Sequence, residues 1–404
     1  MNHHYEGEGE GEGEGSVSAG DVNPPRYVDR IVIHQFDPAR PSPGGIDTCL
    51  RGIARYADPA VELAFVGVDT GLGPVGRALG RWEQHRFGER SIWFLPVVRL
   101  DPADQVRRIP HSIRLMAGVW RFRNRLPARA LVQVHRMDTA FAASTIVPGE
   151  QSYFIHTQEA GLTGKTSDSF WRWAGAVHRG LERRVATRAS QVIVFNPSYI
   201  DTVRRWNPVA VSSPTWFDPR LISPTSTQRN RHQILWVGRL ETPKDPLLAI
   251  DAFASLVASY PSDPWSLEVL GSGTLLEEVR GKVATLHEGL RQRIRVHGRV
   301  APEDVGRMMS SAGVFLMTSH AGYEGYPRVL VEALAAGLVP VVTEGSDTGA
   351  LVVGGATGFV TDRQASVIAA RMRDALDLPE TAMRRAVEHL SAPSVVSRIF
   401  VGAE

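Results

Sequence analysis

The feature that most restricts the fold is a repeated alternation of short apolar runs with stretches of helical spacing. A first series opens with Arg30–His34 and a helical pattern over Ile46–Tyr56. It continues with apolar runs at Val61–Gly67, Ile92–Val98, Ala130–His135, Ser152–His156 and Gln191–Phe195. These runs are too short for buried helices and are bounded by Gly and Pro, so they read as buried strands. Strands alternating with helices imply a parallel sheet covered on both faces, an α/β architecture. Residues 207–228 interrupt the rhythm with Pro208, Pro214, Pro219 and Pro224 among many Ser and Thr, the composition of an interdomain linker. A second series follows. Strands are expected at Gln233–Leu240, Ser266–Leu270, Ile294–Val300, Gly313–Met317 and Val339–Thr343, with helices at Pro246–Ser259, near Leu275–Leu286 and from Pro327.

Two αβ domains in tandem are therefore expected, and 404 residues at 43% hydrophobic content suffice for two cores. The expected division is a disordered Glu/Gly-rich tail over 1–27, an N-terminal domain over 28–206, a linker over 207–228 and a C-terminal domain over 229–390. A helix over 391–404 is expected to pack back on the N-terminal domain. The tail holds almost no large apolar group to offset the entropy of ordering, and His3 and His4 in it read as solvated. With 45 Lys+Arg against 43 Asp+Glu, no general attraction to nucleic acid is expected. Cys49 has no second cysteine to pair with and reads as a buried thiol in a reducing compartment. No apolar run is long enough to cross a bilayer, and the start carries no signal-peptide pattern, so a cytoplasmic protein is expected.

Three segments have the make-up of a phosphate or sugar site. Pro43-Gly44-Gly45 lies between a strand and a helix, where glycines let backbone approach a ligand and the helix start offers N–H groups; an ordinary tight turn needs the same residues. Gly238-Arg239-Leu-Glu-Thr-Pro-Lys244-Asp245 directly follows a strand. Its two cations can converge on one diphosphate, Arg as a planar fork and Lys as a point charge; solvated surface cations are the plainer reading. In Tyr323-Glu324-Gly325-Tyr326-Pro327-Arg-Val-Leu-Val-Glu332-Ala-Leu-Ala-Ala-Gly337, proline suits the helix start and glycine its end. Glu332 falls among apolar neighbours, where a carboxylate needs a polar partner, and a structural ion pair would supply one.

Glu324 and Glu332 are separated by seven residues, with Glu-Gly-aromatic-Pro leading into an apolar helix. This resembles the E-x7-E signature of retaining GT-B glycosyltransferases, in particular glycosyltransferase family 4. Gly-Arg-Leu-(x)3-Lys-Asp, Leu270-Gly271-Ser-Gly273, Val296-His297-Gly298 and Gly337-Leu-Val-Pro340 follow in the family's order. The resemblance spans about residues 28–400 and is strongest over 233–362. It implies a GT-B fold, two Rossmann-like domains facing each other across a cleft, and a nucleotide-diphosphate sugar as donor. By the same resemblance, Arg239 and Lys244 hold the diphosphate, Glu324 the transferred sugar and Glu332 the ribose. The N–H groups near Gly325 and Tyr326 meet the distal phosphate, and Gly44, Gly45, Gly271 and Gly298 line the donor. His156 corresponds to a histidine near the reaction centre, and a hydrogen-bonded histidine closing a strand is its alternative. His135 has a similar pattern one strand earlier. Two segments depart from the family: Thr215-Trp-Phe-Asp218 replaces a usual Asn-Gly-Val-Asp, and Ser319-His-Ala-Gly-Tyr323 is longer than the usual approach to Glu324.

No Asp-x-Asp motif occurs in the chain, so neither catalytic metal nor another cofactor is expected. A sugar phosphorylase or nucleotide-sugar epimerase on the same fold, or a non-catalytic nucleotide-sugar-binding protein, are the competing readings. The acceptor is left open as glycan, lipid or small molecule. From Gln105 to Met137 the chain carries eight arginines and no acidic residue. With Leu115, Met116, Val119, Trp120 and Phe122 interleaved, part of the stretch Arg107–Arg129 reads as a candidate basic amphipathic helix. It could touch an anionic membrane or an anionic acceptor; a solvated helix with a packed apolar side fits as well.

Overall fold

The computed structural model describes residues 26–42, 45–101, 109–156, 175–222 and 229–401. The tail over 1–25, Pro43, Gly44, Arg107, Arg108 and the 223–228 part of the linker lie outside the described residues. The chain forms two compact units, Met1–Ser152 and Tyr153–Glu404.

The first unit holds β1 (Tyr27–Ile33), α1 (Gly45–Tyr56), β2 (Leu63–Asp69), β3 (Glu83–Phe87), β4 (Arg90–Arg99), α2 (His111–Phe122), β5 (Ala128–Val134) and α3 (Met137–Ile146). Its strands lie in the order β3-β4-β2-β1-β5. β1 is central, parallel to β2 through Arg30↔Leu63 and to β5 through Arg30↔Leu131. Its Val28, Ile31, Val32 and Ile33 are fully buried, as expected of a strand covered on both faces. One strand departs from the parallel expectation. β3 runs antiparallel to β4, with Glu83 opposite Phe94 and Phe87 opposite Arg90. Its sequence, Glu-Gln-His-Arg-Phe, has no apolar run to betray it. Polar contacts fix it instead: Arg77 bonds Glu83 at 2.9 Å and Asp37 at 2.9 Å, and His85 lies 2.8 Å from Glu83. Gly88 makes the tight hairpin turn at φ +62°.

The second unit begins inside β6 (Glu150–Ile155) and continues with α4 (Gly175–Arg188), β7 (Gln191–Val194), α5 (Ile200–Arg204) and β8 (Val211–Ser212). The short strand β8 falls in the Pro-rich stretch. The described part of that stretch is packed rather than free: Trp216 is buried, and Phe217 exchanges backbone bonds with Leu390 and Ala392 at 3.1 and 2.9 Å.

A second sheet follows, built from β9 (Asn230–Val237), α6 (Pro246–Ser259), β10 (Ser266–Leu270), α7 (Leu276–Ala284), α8 (Glu288–Arg291), β11 (Ile294–Gly298), α9 (Pro302–Ser311) and β12 (Ala312–Met317). It ends with α10 (Arg328–Ala336), β13 (Val339–Thr343), β14 (Phe359–Thr361), α11 (Ala365–Asp374), α12 (Glu380–Val387) and α13 (Ala392–Val401). The strand order is β11-β10-β9-β12-β13-β14, all parallel. The chain first winds outward from β9 through β10 to β11, then returns to β12 on the other side of β9. That reversal makes β9/β12 a topological switch point, and ligands of such sheets bind beyond the carboxyl ends of the strands there. Among the described residues, no helix is long and apolar enough to cross a membrane.

Candidate donor site at the β9/β12 switch point

Beyond β9 the chain passes Gly238 and Arg239 and makes a short 3-10 turn over Thr242–Lys244. Asp245 then adopts a left-handed conformation (φ 45°), and its carboxylate accepts the Leu248 N–H at 3.1 Å, capping α6. Beyond β12 lie Thr318, Ser319 and His320. The Trp236 indole donates to the Thr318 hydroxyl at 3.0 Å, and that hydroxyl lies 2.9 and 2.7 Å from the carbonyls of Lys244 and Asp245. The His320 N–H bonds the Pro243 carbonyl at 2.8 Å. Arg363, just after β14, donates to the Thr318 and Ser319 carbonyls at 2.6 and 3.0 Å and pairs with Asp245. Thr318, Arg363 and the His320 N–H thus tie the two loops together across the switch point, which fixes the backbone that carries Lys244.

The candidate side chains form one cluster. The Lys244 ammonium pairs with Glu324, and the Ser319 hydroxyl donates to the same carboxylate at 2.6 Å. Lys244 and Glu324 are largely buried, whereas the Arg239 side chain is 59% exposed. Arg239 bonds Glu241 at 3.1 Å and the Tyr323 hydroxyl at 2.5 Å. The Lys244 ammonium lies 5.6 Å from the centre of the Tyr323 ring, so the phenol stands between the two cations. The longer approach to Glu324 noted in the sequence is what delivers Tyr323: Gly322 turns at φ +75°, and the Tyr323 N–H closes on the His320 carbonyl at 3.2 Å.

α10 starts at Pro327, the residue before the first helical turn, and Gly337 ends it at φ +88°. Ahead of it, the Thr348 hydroxyl bonds the Gly325 carbonyl, and Gly349 lets the Tyr326 ring approach: a Cβ there would stand 2.7 Å from the ring. Burial, and secondarily the charge of Asp347, push the Tyr326 phenol up to about 12. Glu332 lies within α10, half-buried. Desolvation raises its carboxyl to about 7, with Asp218 pushing the same way and Arg328, one turn earlier, opposing. Arg328 in turn sits over the Trp216 ring at 5.4 Å. The unusual Thr-Trp-Phe-Asp segment therefore supplies both the platform under Arg328 and the negative charge near Glu332.

The structure gathers Arg239, Lys244 and Glu324 directly, and places Glu332 further along the helix that Glu324 introduces. Gly271 and Gly298 are required by the backbone. A Cβ on Gly271 would lie 1.8 Å from the Gly238 carbonyl, and Gly298 sits at φ +74° while accepting the Gly271 N–H at 2.7 Å. They draw the ends of β9, β10 and β11 together. His156 ends β6 and stacks on Phe195 at 4.6 Å. In the first unit, Gly45 is the first residue of α1, with open space where a side chain would go. His135 is buried at the end of β5, its Nε2 2.7 Å from the Gln133 amide, which accepts from Arg30 at 2.9 Å. This chain suits a histidine fixed as part of the core. Cys49 is likewise buried. The sequence segments include Asp245, Tyr323 and Ser319 without giving them a role, and Thr318 and Arg363 are missed. Arg363 lies far along the chain and only the sheet brings it back.

Residues 220–388 match the family model described as glycosyl transferases group 1. They form a glycosyl transferases group 1 domain. Over 159 residues the chain is 32% identical to a glycogen synthase of Mycobacterium tuberculosis, a match covering 38% of this chain and 36% of that protein. The chain thus spans about a third of the length of that curated relative. Among solved structures it resembles the sucrose-phosphate synthase of Thermosynechococcus elongatus, with TM-score 0.67 and 15% identity over 93% of this chain and 96% of that one. It also resembles Anabaena HepE in complex with UDP-glucose, with TM-score 0.65 and 18% identity over 92% and 98%. The chain has the GT-B fold of these structures, as its sequence led us to expect.

Proposed function

We propose that the protein is a retaining, metal-independent glycosyltransferase that moves a hexosyl group from a nucleotide-diphosphate sugar to a hydroxyl acceptor. The observation that carries this reading is the Arg239–Lys244–Glu324 cluster at the switch point of a group 1 domain. Arg239 and Lys244 bind the two phosphates and stabilise the charge that develops as the bond from C1 to the phosphate oxygen breaks. The acceptor oxygen bonds to C1 from the same face, and its proton passes to the departing phosphate oxygen. No protein nucleophile is needed, and positioning does most of the work. Without donor, Glu324 is the counter-ion of Lys244. An arriving diphosphate takes over Lys244, and the freed carboxylate, still held by Ser319, accepts hydroxyls of the sugar. Glu332 accepts the ribose hydroxyls, and the N–H groups near Gly325 and Tyr326 face the distal phosphate. Gly44, Gly45, Gly271 and Gly298 line the donor, and His156 contacts the sugar near C1.

The acceptor class is a glycan, a lipid-linked sugar or a small molecule, and we place the protein in the cytoplasm, in peripheral contact with anionic membrane through Arg107–Arg129. We keep the proposed division into an acceptor domain over 28–206 and a donor domain over 229–390, with 391–404 returning to the former. UDP-glucose, the ligand of HepE, and GDP-mannose, the donor named for a Xanthomonas oryzae mannosyltransferase 29% identical over 112 residues, are the first donors to try, by thermal shift. A ligand at 100 times its dissociation constant adds about 2.7 kcal/mol of stability. A shift with one of them that disappears in Lys244→Ala supports the assignment. A shift unaffected by that substitution, or none with any nucleotide sugar, removes it. Anomeric NMR of the product then reports retention, while sugar phosphate formed from phosphate, or epimerised donor, would identify a different reaction.

A further inference from the structure

Among the described residues, the outer face of α2 in the first unit is left uncovered. Leu115 and Val119 are fully buried beneath it, and Gly118 brings its backbone against β4, where a Cβ would meet the Val97 carbonyl at 2.5 Å. The opposite side carries Ile113, Ala117 and Trp120, spaced to form one stripe. Ile113 is 60% and Trp120 57% exposed. Between this stripe and α3 runs an open groove of about 460 Å³, lined by Ile113, Met116, Ala117, Trp120, Ala142 and Ile146. Large apolar side chains left in water around a groove of this kind mark a docking surface.

The charges around the groove say what docks. Arg114 and Arg121, seven residues apart, share one flank of the stripe, and Arg123 and Arg125 follow in a 3-10 turn at its end. None of the four has a carboxylate partner among the described residues. Their bonds go to carbonyls instead: Arg114 to Arg99 at 2.7 Å, Arg123 to Trp120 at 2.7 Å and Arg125 to Gly80 at 2.5 Å. Arg123 also lies 4.9 Å from the centre of the Trp120 ring, so an aromatic edge and a cation are presented together. Among the described residues lining the groove, the one carboxylate, Asp138, is cancelled. Burial would raise it, but Arg136, bonded at 3.1 and 3.0 Å, and the Ser112 hydroxyl hold it below the ordinary carboxylate range. An apolar slot bordered by unpaired arginines and a tryptophan complements a surface of anionic headgroups over hydrocarbon. It does not complement an acidic soluble ligand, which would leave the slot wet.

We propose that the α2–α3 groove is a docking site for anionic phospholipid, with one acyl chain lying against Ile113 and Trp120 and the headgroups met by Arg114, Arg121, Arg123 and Arg125. This rests on the membrane contact proposed above and gives it a defined seat; it does not depend on the transfer chemistry. The test is flotation of the full chain with phosphatidylcholine vesicles and with about 7:3 phosphatidylcholine:phosphatidylglycerol vesicles. Each arginine near an anionic surface is worth about 1 kcal/mol, roughly fivefold in partition. Arg121→Gln with Arg123→Gln should therefore lower binding to the anionic vesicles about 30-fold. Ile113→Glu with Trp120→Glu, both at exposed positions, should abolish it while the nucleotide-induced thermal shift persists. That retained shift separates loss of docking from loss of the donor site and from misfolding. Three results overturn the proposal: no flotation with anionic vesicles, flotation unchanged by Ile113→Glu/Trp120→Glu, or dimerisation that this double variant reverses without vesicle binding, which would make a second copy the occupant.

Discussion

Burial pushes the Glu332 carboxyl up to about 7 in the folded chain, against 4.5 for an ordinary glutamate, and outweighs the pull of Arg328. Between those values the folded state holds a proton that the unfolded state has released, so stability falls as pH rises through that window. Each unit is worth 1.36 kcal/mol, which sets an upper limit of about 3 kcal/mol on the destabilisation at pH 8. Since the residue is half-buried, roughly 1–3 kcal/mol is expected. Glu332→Gln keeps the shape and removes the charge. It should therefore raise the melting temperature at pH 8 by about 2–10 °C, with the gain vanishing near pH 4.5. The same substitution should weaken nucleotide binding. A hydrogen bond to a charged acceptor contributes about 1.5–3 kcal/mol, a loss of roughly 10- to 150-fold in affinity. Differential scanning fluorimetry at the two pH values, with and without nucleotide, reads both effects. A variant less stable at pH 8 would show that Arg328 dominates and that Glu332 is a structural ion-pair member. A stabilised variant with unchanged nucleotide affinity would remove Glu332 from the donor site.

Lys244→Ala and Arg239→Ala should each lower turnover roughly 100-fold or more, the loss seen when one charge-stabilising donor is removed; near-normal kcat in both would refute their role at the leaving phosphate. Gly271→Ala forces a Cβ onto the Gly238 carbonyl at a backbone angle side chains avoid, so it should lose about 3 kcal/mol or fail to fold. Gly45→Ala meets open space and should melt like the parent protein; a raised KM for donor at unchanged stability would show that ligand, not packing, requires glycine there. In the first unit, Arg77→Ala strands the buried carboxylates of Asp37 and Glu83 and should lower stability by about 3–5 kcal/mol, measured by denaturant unfolding; a loss under 1 kcal/mol would mean the carboxylates find other partners.

How much of this was legible in the sequence depends on what kind of force built each part. Pro246–Ser259, Ser266–Leu270 and Val339–Thr343 have the bounds expected of them, because apolar periodicity and terminal Pro or Gly define such elements locally. β3 was not legible, since its place is set by Arg77 and Glu83 rather than by apolar side chains, and ion pairs leave no periodic trace. The motif residues Arg239, Lys244 and Glu324 could be named from spacing and resemblance. Their supports could not. Thr318 and Arg363 act through backbone carbonyls brought near only by the order β9-β12-β13-β14, and strand order is not written in any one segment.

The same distinction bears on how the proposed donor cluster is built. Two cations and a carboxylate would, if left to themselves, find partners elsewhere on the surface. Here Lys244 is held on a turn that Asp245, Thr318 and Arg363 fasten from behind, and its partner Glu324 is held by Ser319. The ion pair between them satisfies both charges without donor, so neither side chain has to be ordered when donor arrives. Under the proposed function, binding exchanges one charge-assisted contact for several, and the net gain depends on rigidity already present in the loops. Arg239 follows the opposite rule: exposed and bonded to Glu241 and the Tyr323 hydroxyl, it is free to swing onto a phosphate. Loosening the loops should therefore raise KM through Lys244 and Glu324 together. Tyr323→Phe, which removes the hydroxyl's bonds to Arg239 and Glu241, should leave the thermal stability nearly unchanged and alter donor affinity by less than about tenfold. A larger loss would make the Tyr323 hydroxyl itself a donor contact.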